Sequence, residues 1–282
     1  MLKLYCAAVQ RSFCCHPRDN VPELPEVERA SRALTKAALG KTIASVRPIH
    51  PSLKRKLPPA RARLVKGRRI KGVERRGKHQ LVHLDSGDTL VVHFRMNGDW
   101  EIGTTDDSLD RFARAVIELT DGTRVSLVDR RALSSITLDR AGASSLPKLG
   151  REASDPALDA DYLLRALKKK RKTAIKPALM DQSVVAGLGN IYAAESLWEA
   201  ELDPRTSAAK VLRGNLERLI AAIGLVLSPK ERRPGRYTDT RGVSRFAVYD
   251  RDGEICRRCG GAIVRIVQAG RSTYFCPDCQ LN

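Results

Sequence analysis

Four cysteines near the end of the chain have the spacing of a metal site: Cys256-x2-Cys259 and, after sixteen intervening residues, Cys276-x2-Cys279. Two close thiolate pairs on a hairpin can surround one tetrahedral zinc ion, and four sulfurs leave no open position, so the expected role of this zinc (Zn2+) is structural. Four unligated thiols or a redox pair is the alternative. Arg265 and Arg271 lie within the hairpin and add positive charge, which suits a ribbon laid along nucleic acid. A second group is Gly187-Leu188-Gly189-Asn190 ahead of Ile191 to Glu195. The glycines permit a tight approach, Asn190 is a good N-cap, and the exposed amides of a helix start favour phosphate, although a plain cap explains the same residues. Lys168-Lys169-Lys170-Arg171-Lys172 lies just upstream, either a solvated helix face or a second phosphate site. The third group, Pro22-Glu23-Leu24-Pro25-Glu26-Val27-Glu28, reads on its own as prolines and carboxylates at a helix start.

The elements that must position these groups are legible from periodicity. A helix is expected over 25–39, with Pro25 in its first turn, Gly40 as its stop and Val27, Ala30, Leu34 and Ala37 on one apolar face. From 42 to 138 the period changes to two, with β-rich runs at 42–49, 69–75, 79–84, 89–95, 111–119 and 123–128, several separated by turns such as Asp121-Gly122. Residues 141–158, rich in Ala, Ser, Gly and Pro, read as a linker. Helical patterns follow at about 159–169, 174–180, 190–201 and 206–227, and a polar stretch at 228–243 precedes the cysteine pairs. The expected fold is therefore α+β and multidomain. A largely antiparallel β domain with a leading helix covers 22–140, a helical domain 159–243 and a zinc ribbon 244–282, while residues 1–21 look foreign to the rest.

Composition narrows the function. The chain has 282 residues, enough for about two domains and a sizeable core. Lys plus Arg is 51 against 32 Asp plus Glu, a formal charge of +19 that points to a polyanionic partner. Hydrophobic residues make up 42%, which argues against wholesale disorder, and no run approaches the roughly 18 apolar residues of a membrane span. The other three cysteines, Cys6, Cys14 and Cys15, sit near the start, and 22–255 contains none. That clustering fits a reducing compartment with a local metal site, and the short apolar stretch Leu4 to Val9 does not make a secretion signal.

In combination these segments resemble the bacterial formamidopyrimidine-DNA glycosylases, base-excision repair enzymes that remove oxidised purines and nick the strand. The resemblance covers 22–280. It rests on PELPEVE, on Arg76-Gly77-Lys78-His79, on His93-Phe94-Arg95-Met96-Asn97-Gly98, on Lys172 to Pro177, on Met180-Asp181-Gln182, on GLGNIYAAESL, and on Val248 to Glu254 before the four cysteines. It implies an N-terminal β-sandwich, a helix-two-turn-helix domain and the ribbon. It also implies roles: Pro22 as the nucleophilic secondary amine, Glu23 as the proton-transferring carboxyl, Lys78 at the damaged nucleotide and Arg271 on the phosphate beside it. Met96, Arg131 and Leu133 match the residues that fill the hole left by a flipped nucleotide, and Arg171 and Asn190 match DNA-contacting positions. The implied partner is double-stranded DNA with oxidised bases or abasic sites, met by a monomer in the bacterial cytoplasm with no membrane and no obligate protein partner.

The chain departs from the family pattern in four places. Leu133 stands where the family usually has Phe. Arg111-Phe112-Ala113-Arg114 replaces a Lys-His-Asp-His segment, and the stretch before Val248, where the family has a loop over the flipped purine, is short. Pro22 follows Val21, so its nitrogen is an amide, whose delocalised lone pair forms no iminium. Translation from position 21 through a GTG start, with removal of the initiator Met, would expose it. Without that exposure the expected protein is a silent binder of damaged DNA. A ribosomal or transcription zinc-ribbon protein explains charge and cysteines but not Glu23, Lys78 and Met96 together.

Overall fold

The computed structural model describes residues 21–228 and 246–281. Residues 1–20, assigned above to a foreign extension, and most of the polar stretch at 228–243 lie outside the described residues. Helix α1 (Leu24–Ala38) buries Leu24, Val27, Ala30, Leu34 and Ala38. The inward residue of its last turn is Ala38 rather than the expected Ala37, since i+4 from Leu34 stays on the same stripe. Then come β1 (Ile43–Pro48), two short helices α2 (Pro51–Lys56) and α3 (Pro59–Ala62), and seven strands: β2 (Ile70–Arg76), β3 (His79–Leu84), β4 (Thr89–His93), β5 (Asp99–Thr104), β6 (Ala113–Leu119), β7 (Thr123–Val128) and β8 (Ser135–Asp139).

The strands form two four-stranded antiparallel sheets, ordered β1-β6-β7-β5 and β2-β3-β4-β8. Ile43, Leu90, Val92, Leu127 and Ile136 are wholly buried in the core that α1 and both sheets share. The sheet edges are covered: α1 packs on β2 and β5, while α2 and α3 pack on β8 and β1. Strands β5 and β8 and the two short helices were not anticipated. Strand β5 leaves Glu101, Ile102 and Thr104 exposed and its Asp99 and Gly103 read as turn residues, and β8 is only five residues long.

The second half opens with β9 (Arg151–Glu152), which lies inside the expected linker and pairs in parallel with β10 (Val185–Ala186). Helices α4 (Ala160–Lys168), α5 (Ile175–Met180), α6 (Asn190–Glu199) and α7 (Arg213–Leu227) pack around Leu163, Ile175, Leu179, Leu188, Leu197, Leu216 and Ile223. Helix α7 starts seven residues later than expected from 206, because Val211 and Leu212 are extended and a 3-10 turn takes Ala208–Lys210. Leu24 of α1 belongs to this second core, which locks the start of the first helix onto the helical domain. The ribbon is the antiparallel hairpin β11 (Val264–Gln268) and β12 (Arg271–Phe275). Its two turn residues, Ala269 and Gly270, both have positive φ, the geometry that matches strand twist in a two-residue hairpin. No helix among the described residues is long and apolar enough to cross a membrane.

Candidate functional site

The start of α1 and the start of α6 meet. Glu23 is 1% exposed, and its carboxylate accepts the amide protons of Ile191 (3.0 Å) and Tyr192 (3.3 Å) in the first turn of α6. The amides expected to hold a phosphate are thus satisfied by a carboxylate from the same chain, for the same electrostatic reason. Asn190 is not the N-cap as expected. Gly189 holds that position, and Asn190 is the first helical residue with its side chain turned toward the ribbon. Both glycines of the Gly-Leu-Gly run allow this meeting. A Cβ on Gly189 would overlap the Glu23 carboxyl and Lys78 Nζ, and one on Gly187, whose φ is +90°, would overlap Leu24.

Lys78 reaches this point from the turn between β2 and β3. Glu152 of β9 holds the turn: its carboxylate accepts from Arg75, from Arg76 and from the Gly77 amide (2.6 Å). Arg75 also pairs with Glu28 of α1 at 2.7 Å. Burial works against the Arg75 charge, and the two carboxylates more than offset it, holding its pKa above the ordinary value. The expected linker therefore carries the residue that fixes the Lys78 turn.

A third contribution comes from α5 and the ribbon. Lys176, 1% exposed, donates to Asn190 Oδ1 (2.5 Å), Thr273 Oγ1 (2.9 Å) and the Ser272 carbonyl (3.1 Å). Asn190 Nδ2 donates to the same carbonyl at 3.1 Å. Burial pushes the Lys176 ammonium down to about 8; Glu23 opposes the shift and Arg271 adds to it. The pair pins β12 beside α6 and so sets the backbone next to Arg271, whose own side chain is exposed.

The wedge candidates sit apart from this cluster, on two loops of the sandwich. Met96 is on the turn between β4 and β5, and Arg131 and Leu133 are on the turn between β7 and β8, with Leu133 41% exposed. Arg95 and Ala132 take positive φ (58° and 53°), so both turns are tight. Burial, with His79 and the cations Arg95, Lys78 and Lys56 nearby, pushes His93 down to about 3. The neutral ring can then accept the Arg95 amide proton at Nδ1 (2.9 Å). Arg171 is exposed beyond the end of α4. In the Arg111-Phe112-Ala113-Arg114 segment, the guanidinium groups of Arg111, Arg114 and the nearby Arg130 lie 4.6, 5.6 and 5.1 Å from the centre of the Phe112 ring.

The four ribbon cysteines converge, with their sulfurs all within 4.8 Å of one another. The Cys256–Cys279 and Cys259–Cys276 pairs are 3.8 and 3.4 Å apart, close to the ~3.8 Å edge of a tetrahedron with 2.3 Å zinc–sulfur bonds. The indole of Trp198 on α6 donates to Cys256 Sγ (3.4 Å), which ties the site to the helical domain. The donor set fits one structural zinc and leaves no position for a substrate.

Three family models match the chain: the formamidopyrimidine-DNA glycosylase N-terminal domain over 21–136, the formamidopyrimidine-DNA glycosylase H2TH domain over 149–232, and a zinc finger found in FPG and IleRS over 253–282. The chain belongs to the formamidopyrimidine-DNA glycosylase family. Relatives bearing that name include proteins from Herpetosiphon aurantiacus, 38% identical over 273 residues, and Heliobacterium modesticaldum, 39% identical over 277 residues. Each alignment takes in 92% of this chain and 100% of the relative. The Lactococcus lactis Fpg in complex with abasic-site DNA matches with a TM-score of 0.81 at 29% identity, and a MutM in complex with DNA containing carbocyclic 8-oxo-G does so with 0.81 at 30%. Both comparisons cover 93% of this chain and 100% of the other. The expected α+β fold, the zinc finger and a DNA-binding glycosylase of base excision repair are thereby established for a member of the formamidopyrimidine-DNA glycosylase family. The sequence did not mark out Lys176, Glu152 or Asp129, whose buried carboxylate accepts the amides of Arg131, Leu133 and Ser134, as organisers of the site. The only signal for the first was its place in the Lys-Thr-Ala-Ile-Lys-Pro run; the other two act through partners distant in sequence or through turn amides.

Proposed function

We propose that the mature chain is a bifunctional DNA glycosylase and abasic-site lyase that removes oxidised purines (8-oxoguanine and formamidopyrimidines) from duplex DNA, working as a monomer in the cytoplasm. The observation that carries this reading is the convergence of the buried Glu23 carboxylate, Lys78 Nζ and the α6 start directly beside Pro22. With a free secondary amine, Pro22 attacks the sugar carbon that bears the damaged base. The carbon–base bond breaks and the base departs. As the sugar ring opens, the proton released by the proline nitrogen passes through the Glu23 carboxyl to the ring oxygen, leaving an iminium. That cation draws electrons from the adjacent carbon. Loss of its hydrogen expels the 3′ phosphate, and loss of a second hydrogen expels the 5′ phosphate, which is β,δ-elimination. Lys78 faces the damaged nucleotide, Arg271 its phosphate, Arg171 and Asn190 the strand, and Met96, Arg131 and Leu133 occupy the vacated stack.

The reading requires a mature chain that begins at Pro22, as initiation at Val21 with Met removal would give. An amide nitrogen at that position instead favours the second reading, a non-catalytic binder of damaged DNA or abasic sites. Borohydride trapping on 8-oxoguanine and abasic duplexes separates them. Zinc-loaded protein beginning at Pro22 is expected to form a covalent adduct, and the chain retaining Val21 is not. Absence of an adduct from the former overturns the lyase reading. Intact mass of the protein from its native cell reports which chain is made.

A further inference from the structure

The turn that carries Arg131 and Leu133 is gripped from both sides, and only one grip lies within the turn. Asp129 is fully buried, and its carboxylate accepts the amides of Arg131 (2.9 Å), Leu133 (2.8 Å) and Ser134 (2.7 Å) and lies 2.6 Å from Ser134 Oγ. The carbonyls of the same turn are held by α2, a helix that nothing in the sequence reading anticipated. Ser52 Oγ donates to Ala132 O (3.0 Å), and Lys56 Nζ donates to Ser134 O (3.2 Å) and Leu133 O (3.4 Å). Four residues apart, Ser52 and Lys56 share one helix face. Leu53 and Leu57, 1% and 0% exposed, root the helix in the sandwich core, so the donors stand on a fixed base.

The second loop is tied to the first. Ser134 Oγ lies 3.0 Å from Phe94 O, and a Cβ on Gly98 would come within 2.6 Å of Ser134 Oγ, so the Met96 turn closes directly against Ser134. Met96, Arg131 and Leu133 are therefore carried on two turns packed against each other at Ser134.

We propose that α2 is the buttress of the wedge, with Ser52 and Lys56 acting together with Asp129 as positioning residues that hold Arg131 and Leu133 in the conformation that enters the duplex. This rests on the wedge reading given above. Flipping a nucleotide out needs something to fill the stack as the base leaves, and a turn ordered beforehand spends no binding energy on its own ordering. Lys56 serves this role through the turn's carbonyls rather than through DNA phosphate, which separates it from the many cations of this chain.

The test uses zinc-loaded protein beginning at Pro22 and the variants Ser52→Ala, Lys56→Met and Ser52→Thr. Entry of the wedge is read without chemistry, from the fluorescence of 2-aminopurine placed opposite an abasic analogue in duplex DNA. Base removal from an 8-oxoguanine duplex is read in single turnover, and borohydride trapping on a single-stranded abasic oligonucleotide reports the nucleophile where there is no stack to fill. Ser52→Ala and Lys56→Met are expected to slow the fluorescence change and duplex base removal by about 10- to 100-fold, with single-stranded trapping kept within about twofold. Ser52→Thr is expected to behave as the parent. The proposal is overturned if duplex and single-stranded reactions fall together, or if neither falls. It is also overturned if Lys56→Met lowers the salt slope of binding by about one, the mark of a phosphate contact. If the parent protein shows the fluorescence change but no trapping, the lyase reading fails and the buttress is still tested by the fluorescence.

Discussion

The candidate wedge turns and the cluster around Glu23 are built in opposite ways. The candidate wedge turns are held by groups inside the sandwich, with Asp129 within five residues of the atoms it grips and α2 closing the other side. The cluster around Glu23 has one local element, the capping box that Glu23 and Glu26 form at the start of α1, and its other contacts are long-range. Glu23 meets an amide 168 residues further along the chain, and Lys176 and Asn190 reach 97 and 82 residues to the ribbon. A wedge of this kind needs one folded domain, whereas the cluster exists only when sandwich, helical domain and ribbon are docked. Damping one domain should therefore silence chemistry before it blunts the wedge.

The most severe break in this contrast is Glu23→Gln. It keeps an acceptor for the α6 amides but loses the proposed proton carrier, so base removal in single turnover should fall by about 10²- to 10⁴-fold while affinity for an abasic-analogue duplex stays within about threefold. A parallel loss of affinity would mean that the carboxylate acts as a helix cap alone. Removing zinc is expected to act next. Chelation unfolds the ribbon, takes away Arg271 and strands Lys176 and Asn190, and trapping should drop by roughly 100-fold. Hydrogen exchange should speed up in β11 and β12 and stay slow in β3 and β4; equal loss in both would contradict the separation.

A smaller effect concerns pH. Lys176 is depressed to about 8 from an ordinary 10.5, so the folded chain sheds this proton across a window in which the unfolded chain still holds it. The linkage sign follows: from this group stability rises with pH between about 8 and 10.5, while the cation beside Arg271 is lost. Affinity for abasic-analogue DNA should weaken as pH passes 8, and Lys176→Arg should hold it level to about pH 10. An unchanged limb in that variant would assign the pH dependence elsewhere. The mildest change is Leu133→Phe, which adds apolar area to the wedge and should tighten lesion binding by about two- to fourfold without altering single-stranded trapping.

Legibility differed between elements for physical reasons. Helix α1 could be read to within a residue, since its buried stripe and its prolines are local signals. The cysteine spacing likewise announced the metal site. Strand β5 was missed because its exposed Glu101, Ile102 and Thr104 leave little apolar alternation to show, and β9 because two residues inside an Ala-, Ser- and Gly-rich stretch carry no period. Asn190 was misread as a cap because capping statistics describe isolated helix starts, and here a carboxylate from another domain takes the amides.

What the sequence determined by itself was the inventory: a cationic chain, alternation followed by helical periodicity, four thiols at zinc spacing, and the motifs that place it in its family. Those depend on residue type and short-range spacing, which the chain carries wherever it folds. The tertiary structure decided which groups act together. It buried Glu23 on α6, bound the Lys78 turn to Glu152, and set α2 against the turn that carries Arg131 and Leu133. Such pairings join residues tens to well over a hundred positions apart, and their strength comes from excluding water around charges that remain solvated in the open chain.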